Sequence, residues 1–120
     1  MNPTLKKILY WTPRIASILF ILFVSLFALD VFDAGYTFGE TLLALFMHLI
    51  PSFTLLAALI LAWKQEWIGA LLYIGFAGWY ILEAWGIFHW SVYALMAGIP
   101  LIVGLFFALG WFFRRQIRGV

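Results

Sequence analysis

The ionisable side chains that interrupt the apolar stretches of this 120-residue chain are the ones that could do chemistry. His48 lies eight residues beyond Glu40, so a helix that begins there would place it ~12 Å from the helix end. An ionisable group at that depth in lipid is costly, and we expect it to face the protein interior with a partner. Pro51 cannot donate to the carbonyl of Met47, which leaves an acceptor beside the imidazole. The pattern indicates a ligand or proton site; the alternative is a neutral imidazole that only joins two helices.

Glu83 is the second candidate, because it shares one helical stripe with two tyrosines. The stripe follows steps of three and four residues through Gly69, Tyr73, Phe76, Tyr80, Glu83 and Ile87. Glu83 lies at a depth similar to that of His48, so the two could pair, with Tyr80 as a third polar group; alternatively, Glu83 reaches the headgroup region and meets water. Asp30 is expected to turn toward the same cavity. The predicted ligand-binding residues are therefore Asp30, His48, Tyr80 and Glu83.

The carboxylates and imidazoles of this set, together with His89, are ligands that suit a divalent metal. No compact ligand spacing such as H-E-x-x-H is present, so the sequence assigns neither a metal nor a cofactor. The chain also has no cysteine, no phosphate-binding glycine loop and no serine–histidine–acid arrangement in a recognisable context. These observations predict a protein that is not an enzyme.

Four apolar segments must position these side chains. They are residues 13–32, 40–62, 67–88 and 91–113, and each has about 20 residues, the length that crosses a hydrocarbon core of ~30 Å. A composition of 67% hydrophobic and 10% charged residues excludes an ordinary water-soluble domain. Residues 1–12 form a basic amphipathic segment that we expect to lie along the headgroups, and Thr12-Pro13 is expected to restart the chain as the first membrane helix.

The basic residues sort to one side of the membrane once these segments are taken as crossings. They lie before or at the start of the first segment, between the second and the third, and after the fourth: Lys6, Lys7, Arg14, Lys64, Arg114, Arg115 and Arg118. Of the five acidic residues, four fall toward the opposite side: Asp30, Asp33, Glu40 and Glu83. The positive-inside rule then predicts that both termini are cytoplasmic, in a cell membrane. Because the basic residues flank the segments, the net charge of +2 does not indicate nucleic-acid binding.

The short connections predict an all-α, antiparallel, up-down bundle of four transmembrane helices. Thr37 and Glu40 fit a capping box, and Ser91 is expected to cap the fourth segment. Small residues at four-residue spacing favour close helix packing, within the chain or between copies or partner membrane proteins. They are Ala94 with Gly98 and Gly104 with Ala108, and Gly75 and Gly78 add to them on the third segment.

A short sequence echo suggests that the two halves of the chain form a parallel repeat. Residues 47–51 (MHLIP) and 96–100 (MAGIP) match at their first, fourth and fifth positions. Both prolines lie near the middle of segments that run in the same direction. Such a pair would be related by an axis along the membrane normal.

The chain resembles a family of small, uncharacterised prokaryotic four-helix membrane proteins. The resemblance covers most of the sequence and is carried by residues 14–20, 25–32, 48–51, 62–69 and 99–101. It implies the topology and a bacterial-type membrane, but no activity. Length and helix count are also similar to those of small multidrug-resistance transporters. Those proteins have an essential carboxylate in the first helix, whereas here the first acid is Asp30 at its outer end.

The sequence therefore predicts a small, non-enzymatic integral membrane protein with an outward-facing polar pocket. The pocket would bind a small ligand, a cation or a partner helix. A small oligomeric transporter or channel is one alternative, and it would need polar residues that continue into the inner half of the bundle. A membrane redox or metal-binding protein is the other alternative.

Overall fold

The computed structural model describes residues 2–118 of the chain. Within that range all regular structure is helical, and the protein measures 55 × 31 × 20 Å along its principal axes. The elements are α1 (Pro3–Leu26), a 3₁₀ helix (Phe27–Asp33), α2 (Phe38–His48), α3 (Ile50–Ala62), α4 (Glu66–Glu83), α5 (Trp90–Met96), α6 (Gly98–Phe112) and α7 (Arg114–Arg118).

The first helix is continuous across the point where the sequence predicts a restart. Asn2 caps α1 by accepting a hydrogen bond from the Thr4 N–H at 2.7 Å, and Pro13 lies inside the helix. Proline removes the helical hydrogen bond to the Leu9 carbonyl, four residues before it, without ending α1. The buried Arg14 side chain, which follows Pro13, donates separately to the Tyr10 carbonyl. The expected restart of the helix at Thr12-Pro13 is therefore wrong, because α1 runs unbroken through both residues.

Two helical stretches are long and apolar enough to span a membrane: Pro3–Asp33 and Trp90–Phe112. A third is the pair α2 and α3, if the two are one span bent by 44° at Leu49. By this criterion α4 does not qualify, and it carries a glutamate at each end. The chain thus has two or three candidate membrane-spanning helices.

The segments that contain Pro51 and Pro100 are broken helices rather than single ones. The first break lies at Leu49, two residues before Pro51, and the second lies at Ala97, three residues before Pro100. A proline has no N–H and crowds the turn before it, which explains why each break precedes the ring. The two halves of the sequence echo therefore both mark a helix interruption.

Helices α1, α3, α4 and α6 pack in a closed ring, in which α1 contacts α3, α3 contacts α4, α4 contacts α6, and α6 contacts α1. The ring encloses the buried apolar core of Phe20, Val24, Leu55, Ala58, Leu59, Ala62, Tyr73, Val103 and Phe107. In contrast, α2 packs mainly on the 3₁₀ helix and α5 mainly on α6 and α4, and neither α2 nor α5 has a buried residue. The bundle is therefore tight at one end and loose at the other.

We call the tight end the basic end and the loose end the acidic end. The basic end has the start of α1, with Lys6 and Lys7, beside α7, which contacts α1 and includes Arg115. The acidic end carries four exposed carboxylates: Asp30, Asp33, Glu40 and Glu83. This separation of charge agrees with the sorting that the sequence predicts.

The helix caps confirm one prediction and correct another. Thr37 and Glu40 form the predicted capping box: the Thr37 hydroxyl accepts from the Glu40 N–H at 3.3 Å, and the Glu40 carboxylate accepts from the Thr37 N–H at 3.0 Å. Ser91 was expected to cap α5, but the cap is His89, whose ring nitrogen accepts from the Ser91 N–H at 3.3 Å. Its Nδ1 lies where a serine cap would place its hydroxyl, so imidazole serves as the acceptor.

The glycines divide into packed and open positions. A Cβ on Gly104 would come within 2.7 Å of the Ile74 side chain, so this glycine sets the approach of α6 to α4, as predicted. A Cβ on Gly75, Gly78 or Gly98 would meet nothing within 4 Å. The small residues of α4 that the sequence marks as packing positions are thus open, and they do not join helices within the chain.

Candidate functional site

The four predicted ligand-binding residues do not close into one polar pocket. The side chains of Asp30, His48 and Glu83 are exposed, and Tyr80 is half-buried against the ring of Tyr93, 6.2 Å between centroids. No hydrogen bond or ion pair joins His48 to Glu83 in the part of the chain that the structure describes. The expected inward-facing histidine with Glu83 as direct partner is therefore not found, because the bend at Leu49 turns α2 toward the 3₁₀ helix.

The predicted metal ligands are likewise apart. Among residues 2–118, no three His, Cys, Asp or Glu side chains come close enough to hold a metal ion. His89 instead bonds locally, with its Nδ1 3.0 Å from the Ser91 hydroxyl.

A groove of about 740 Å³ runs between α3 and α4 and opens sideways. Its walls are apolar apart from Thr54, whose hydroxyl donates to the Ile50 carbonyl of its own helix at 3.0 Å. The α3 wall comprises Ile50, Pro51, Thr54, Leu55, Ala57, Ala58 and Leu61, and the α4 wall comprises Leu71, Leu72, Gly75, Phe76 and Trp79. The groove therefore suits an apolar body, such as an alkyl chain.

Glu83 lies on the same stripe of α4 as the groove. The groove-lining residues 72, 75, 76 and 79 follow one another in steps of three, one and three residues, so they share one face of α4. Glu83 follows Trp79 by four residues and lies on the same face. Glu83 is also the last residue of α4, at the acidic end. Glu83 thus lies one helical turn beyond Trp79, the last α4 residue that lines the groove, and its own side chain is exposed.

His48 is the last residue of α2, the helix that precedes the α3 wall of the groove in the chain. It lies three residues before Pro51, and its Nδ1 is 2.8 Å from the Ala44 carbonyl oxygen. A carbonyl oxygen only accepts hydrogen bonds, so this contact assigns a proton to Nδ1 and ties the ring to the preceding turn of its own helix. Each wall of the groove is thus flanked in the chain by an exposed polar side chain: Glu83 lies four residues after Trp79 on α4, and His48 lies two residues before Ile50.

Sequence reasoning missed a second polar cluster, which lies inside the basic end of the bundle. Arg14 and Glu66 were taken as flanking charges, but their side chains are only 1% and 2% exposed, with Nη2 and Oε1 3.3 Å apart. Arg14 also donates to the carbonyls of Tyr10 and Trp63, and its guanidinium lies 3.8 Å from the centre of the Tyr10 ring. The available signal was that Arg14 lies within the first predicted segment rather than before it.

Tyr73 forms the next polar layer of the interior. Its hydroxyl donates to the Leu55 carbonyl at 3.2 Å and is hydrogen-bonded to the Ser17 hydroxyl. Further along, the hydroxyls of Ser25 and Ser52 are 2.8 Å apart. These contacts join α1 to α3 and α4, so the interior polar groups are used in helix packing and do not line the groove.

Comparison with known proteins gives a family but no characterised relative. The match to the domain of unknown function DUF7670 extends over residues 1–118. Searches among curated proteins and among solved structures find no match. Because the match spans nearly the whole sequence, this chain is a member of the DUF7670 family.

Proposed function

We propose that this protein is a non-enzymatic integral membrane protein that binds an amphiphilic cation. The apolar part of the ligand would occupy the groove between α3 and α4, and its ammonium group would sit at the mouth, near Glu83 and His48. The observation that carries the proposal is that Glu83 continues the stripe of α4 that lines the groove. A carboxylate at the end of an apolar wall matches a molecule with one charged end.

The charge of the ligand follows from the acceptors at the mouth. An ammonium group has N–H donors for the Glu83 carboxylate and carries the opposite charge. The other exposed carboxylates of the acidic end add a negative field that favours cations and opposes anionic amphiphiles. Trp79, at the outer end of the groove, adds an aromatic face on which a cation is stabilised.

The finer topology belongs to the same proposal. In it, α1, the α2–α3 pair, α4 and the α5–α6 pair cross a bacterial cell membrane as an up-down bundle, with both termini in the cytoplasm. The closed ring of α1, α3, α4 and α6 supports α4 as a crossing, because each of its neighbours in the ring belongs to a candidate span. The sorting of charge between the two ends supports the orientation.

This topology can be tested with single cysteines, since the natural chain has none. Cysteines at Lys64 and at Asn2 should react only after the membrane is opened, and one at Asp33 should react with an impermeant maleimide in intact cells. Opposite labelling of Asn2 and Lys64 would reject the four-crossing arrangement.

Ligand binding can be measured with purified protein in nanodiscs and dodecylammonium as the probe. Binding should exceed that of dodecanol and dodecyl sulfate, and Glu83→Gln should weaken it about tenfold, as expected for loss of a charge-assisted hydrogen bond. Asp33→Asn removes an exposed charge from the same end but outside the groove, and it should change affinity by less than about twofold. An equal loss of affinity in Glu83→Gln and Asp33→Asn would mean that only the overall negative charge of the acidic end attracts the cation, and it would reject the site.

The groove itself can be tested by filling it. Gly75 lines the groove and Gly78 does not, yet a Cβ at either position meets no atom within 4 Å. Gly75→Leu should therefore abolish binding of dodecylammonium, and Gly78→Leu should leave it intact, with both variants folded by circular dichroism. Retained binding in Gly75→Leu would place the alkyl chain elsewhere.

Transport of the same cation is the second candidate function. The observation in its favour is that polar groups continue through the bundle beyond the groove, at Tyr73 with Ser17 and at Arg14 with Glu66. Proteoliposomes should then accumulate a permanently charged alkylammonium in a Glu83-dependent manner. Binding without any uptake would reject transport and retain the binding protein.

A further inference from the structure

A second furrow, on the opposite wall of the bundle from α3 and α4, follows α1 from its basic end. It has a volume of about 560 Å³ and is bordered by Lys7, Ile8, Trp11, Thr12, Ile15, Ala16 and Leu19. A neighbouring groove of about 370 Å³ shares Ala16 and Leu19 and continues past Phe20 and Phe23, with Leu95 and Ile99 as its other side. The two grooves adjoin along α1 at these shared residues, and together we call them the α1 furrow.

The α1 furrow is polar at one end only. Lys7 and Thr12 are the polar residues that line it, and both belong to its first part, whereas Ile15, Leu19 and Phe23 continue it with apolar surface. Trp11, which is 46% exposed, lies at the junction, where an indole is typical of the membrane–water interface. The distribution of polar and apolar groups therefore follows that of a lipid, with its head at Lys7.

The length of the apolar part agrees with one leaflet. Eleven residues separate Thr12 from Phe23, which is ~16 Å along a helix, and half of a ~30 Å hydrocarbon core is ~15 Å. A partner helix in the furrow would not require a basic residue at one end of the contact. A lipid whose acyl chain lies along α1 would place its headgroup beside Lys7, so the lysine favours a lipid as the occupant.

The charge near the head position favours an anionic lipid. Lys7 and Arg115 are both exposed, and α7, which includes Arg115, packs against α1. Glu66, an acidic residue near this end, is buried and engaged with Arg14. Basic sites at the ends of membrane helices are the usual binding sites for anionic headgroups.

We propose that the α1 furrow binds an anionic phospholipid, with the phosphate at Lys7 and Thr12 and one acyl chain along Ile15 and Leu19. This site is separate from the groove between α3 and α4, and it does not depend on the proposed ligand of that groove. The bound anionic lipid would anchor the start of α1 at the membrane–water interface.

The test uses the full chain and two phospholipids with identical acyl chains, phosphatidylglycerol and phosphatidylcholine, measured as bound adducts by native mass spectrometry. Phosphatidylglycerol should be retained in preference. Lys7→Gln should reduce that preference about fivefold, the effect of one basic residue near an anionic surface. Lys6→Gln removes the same charge one position away, outside the furrow, and should reduce it by less than about twofold.

Three results would overturn the proposal: no preference for phosphatidylglycerol, equal losses in the two lysine variants, or displacement of the lipid by glycerol phosphate. Glycerol phosphate carries the anionic head without acyl chains, so displacement would identify a site for free phosphate groups. Lys6 and Lys7 are both near the start of α1 and outside the core, and both variants should fold normally. Unchanged dodecylammonium binding in Lys7→Gln would confirm that the two sites are independent.

Discussion

Arg14 and Glu66, 52 residues apart in the sequence, meet 3.3 Å apart in the interior of the bundle, where almost no part of either side chain is exposed. The guanidinium also donates to the Trp63 carbonyl, near the end of α3, so one side chain holds α1, the α3–α4 turn and the start of α4 together. The Nε of Arg14 is buried without a hydrogen-bond partner in the described chain, which makes the remaining contacts of the guanidinium more important.

Breaking the Arg14–Glu66 pair should destabilise the protein strongly. Glu66→Leu leaves a buried, uncompensated guanidinium, and we expect a loss of about 3–5 kcal/mol in the free energy of unfolding. The measurement is denaturant unfolding in detergent micelles, followed by circular dichroism. The exposed Arg115→Gln should change stability by no more than about 0.5 kcal/mol.

The double variant Arg14→Met with Glu66→Leu separates charge pairing from packing. It should recover most of the stability lost in Glu66→Leu, because both buried charges are then absent. A double variant as unstable as the single one would show that the shape of the side chains, rather than their charges, matters at this position.

Close packing at Gly69 should be sensitive to a single methyl group. A Cβ there would lie 2.5 Å from the Ala62 Cβ and 2.8 Å from the Phe107 ring. Gly69→Ala should therefore cost about 1–3 kcal/mol through overpacking. Gly78→Ala, on the same helix but with open space around it, should be neutral or stabilising by up to about 1 kcal/mol. Similar thermal midpoints for the two variants would contradict the packing of α3, α4 and α6 at Gly69.

The hydroxyl of Tyr73 should contribute to stability through its two hydrogen bonds. Tyr73→Phe leaves the Ser17 hydroxyl and the Leu55 carbonyl without this partner, and we expect a loss of about 1 kcal/mol. Adding Ser17→Ala should cost little more, because its partner is already gone. Tyr36→Phe, at an exposed tyrosine, is the control, and a fully additive double variant would show that the Tyr73 and Ser17 hydroxyls do not interact.

Tyr93 should hold the turn that follows α4. Its hydroxyl donates to the Ala84 carbonyl and accepts from the N–H groups of Ile87 and Phe88, each at 3.3 Å. In Tyr93→Phe, amide hydrogen exchange at Ile87 and Phe88 should accelerate about fivefold, the equivalent of about 1 kcal/mol. Tyr80→Phe keeps the neighbouring ring and serves as the control. Unchanged exchange in Tyr93→Phe would mean that the turn is held by its own backbone hydrogen bond, from the Ile87 N–H to the Ala84 carbonyl at 3.1 Å, and not by the tyrosine.

Local signals in the sequence were sufficient for several parts of the fold. Thr37 and Glu40 define a helix start through their own hydrogen bonds, and Pro51 and Pro100 interrupt helices because they lack an N–H. These effects depend on residues within about one helical turn. The end of α4 was predicted five residues too late, at residue 88 instead of Glu83, because the apolar residues of the turn after it resemble a continuing helix.

The candidate site was predicted only in part, and Glu83 and His48 show why. Their depth could be counted from the sequence, and both side chains are exposed at the acidic end of the bundle. The sequence could not show whether the two side chains touch, since that depends on the 44° bend between α2 and α3. The apolar groove was missed because its walls belong to α3 and α4, and the relative rotation of two helices cannot be predicted from the sequence of either one.

The sequence by itself determined an all-helical chain with apolar segments of membrane-spanning length, the capping box of Thr37 and Glu40, the distortion at Pro51, and the separation of basic from acidic residues. Only the tertiary structure decided that Arg14 meets Glu66 inside the bundle, that Tyr73 meets Ser17, and that Gly69 is packed while Gly75 is open. The reason is physical: lipid is as apolar as a protein core, so hydrophobic periodicity does not distinguish the inner face of a membrane helix from its outer face. Which polar groups become partners is then settled by how the helices rotate and bend against one another.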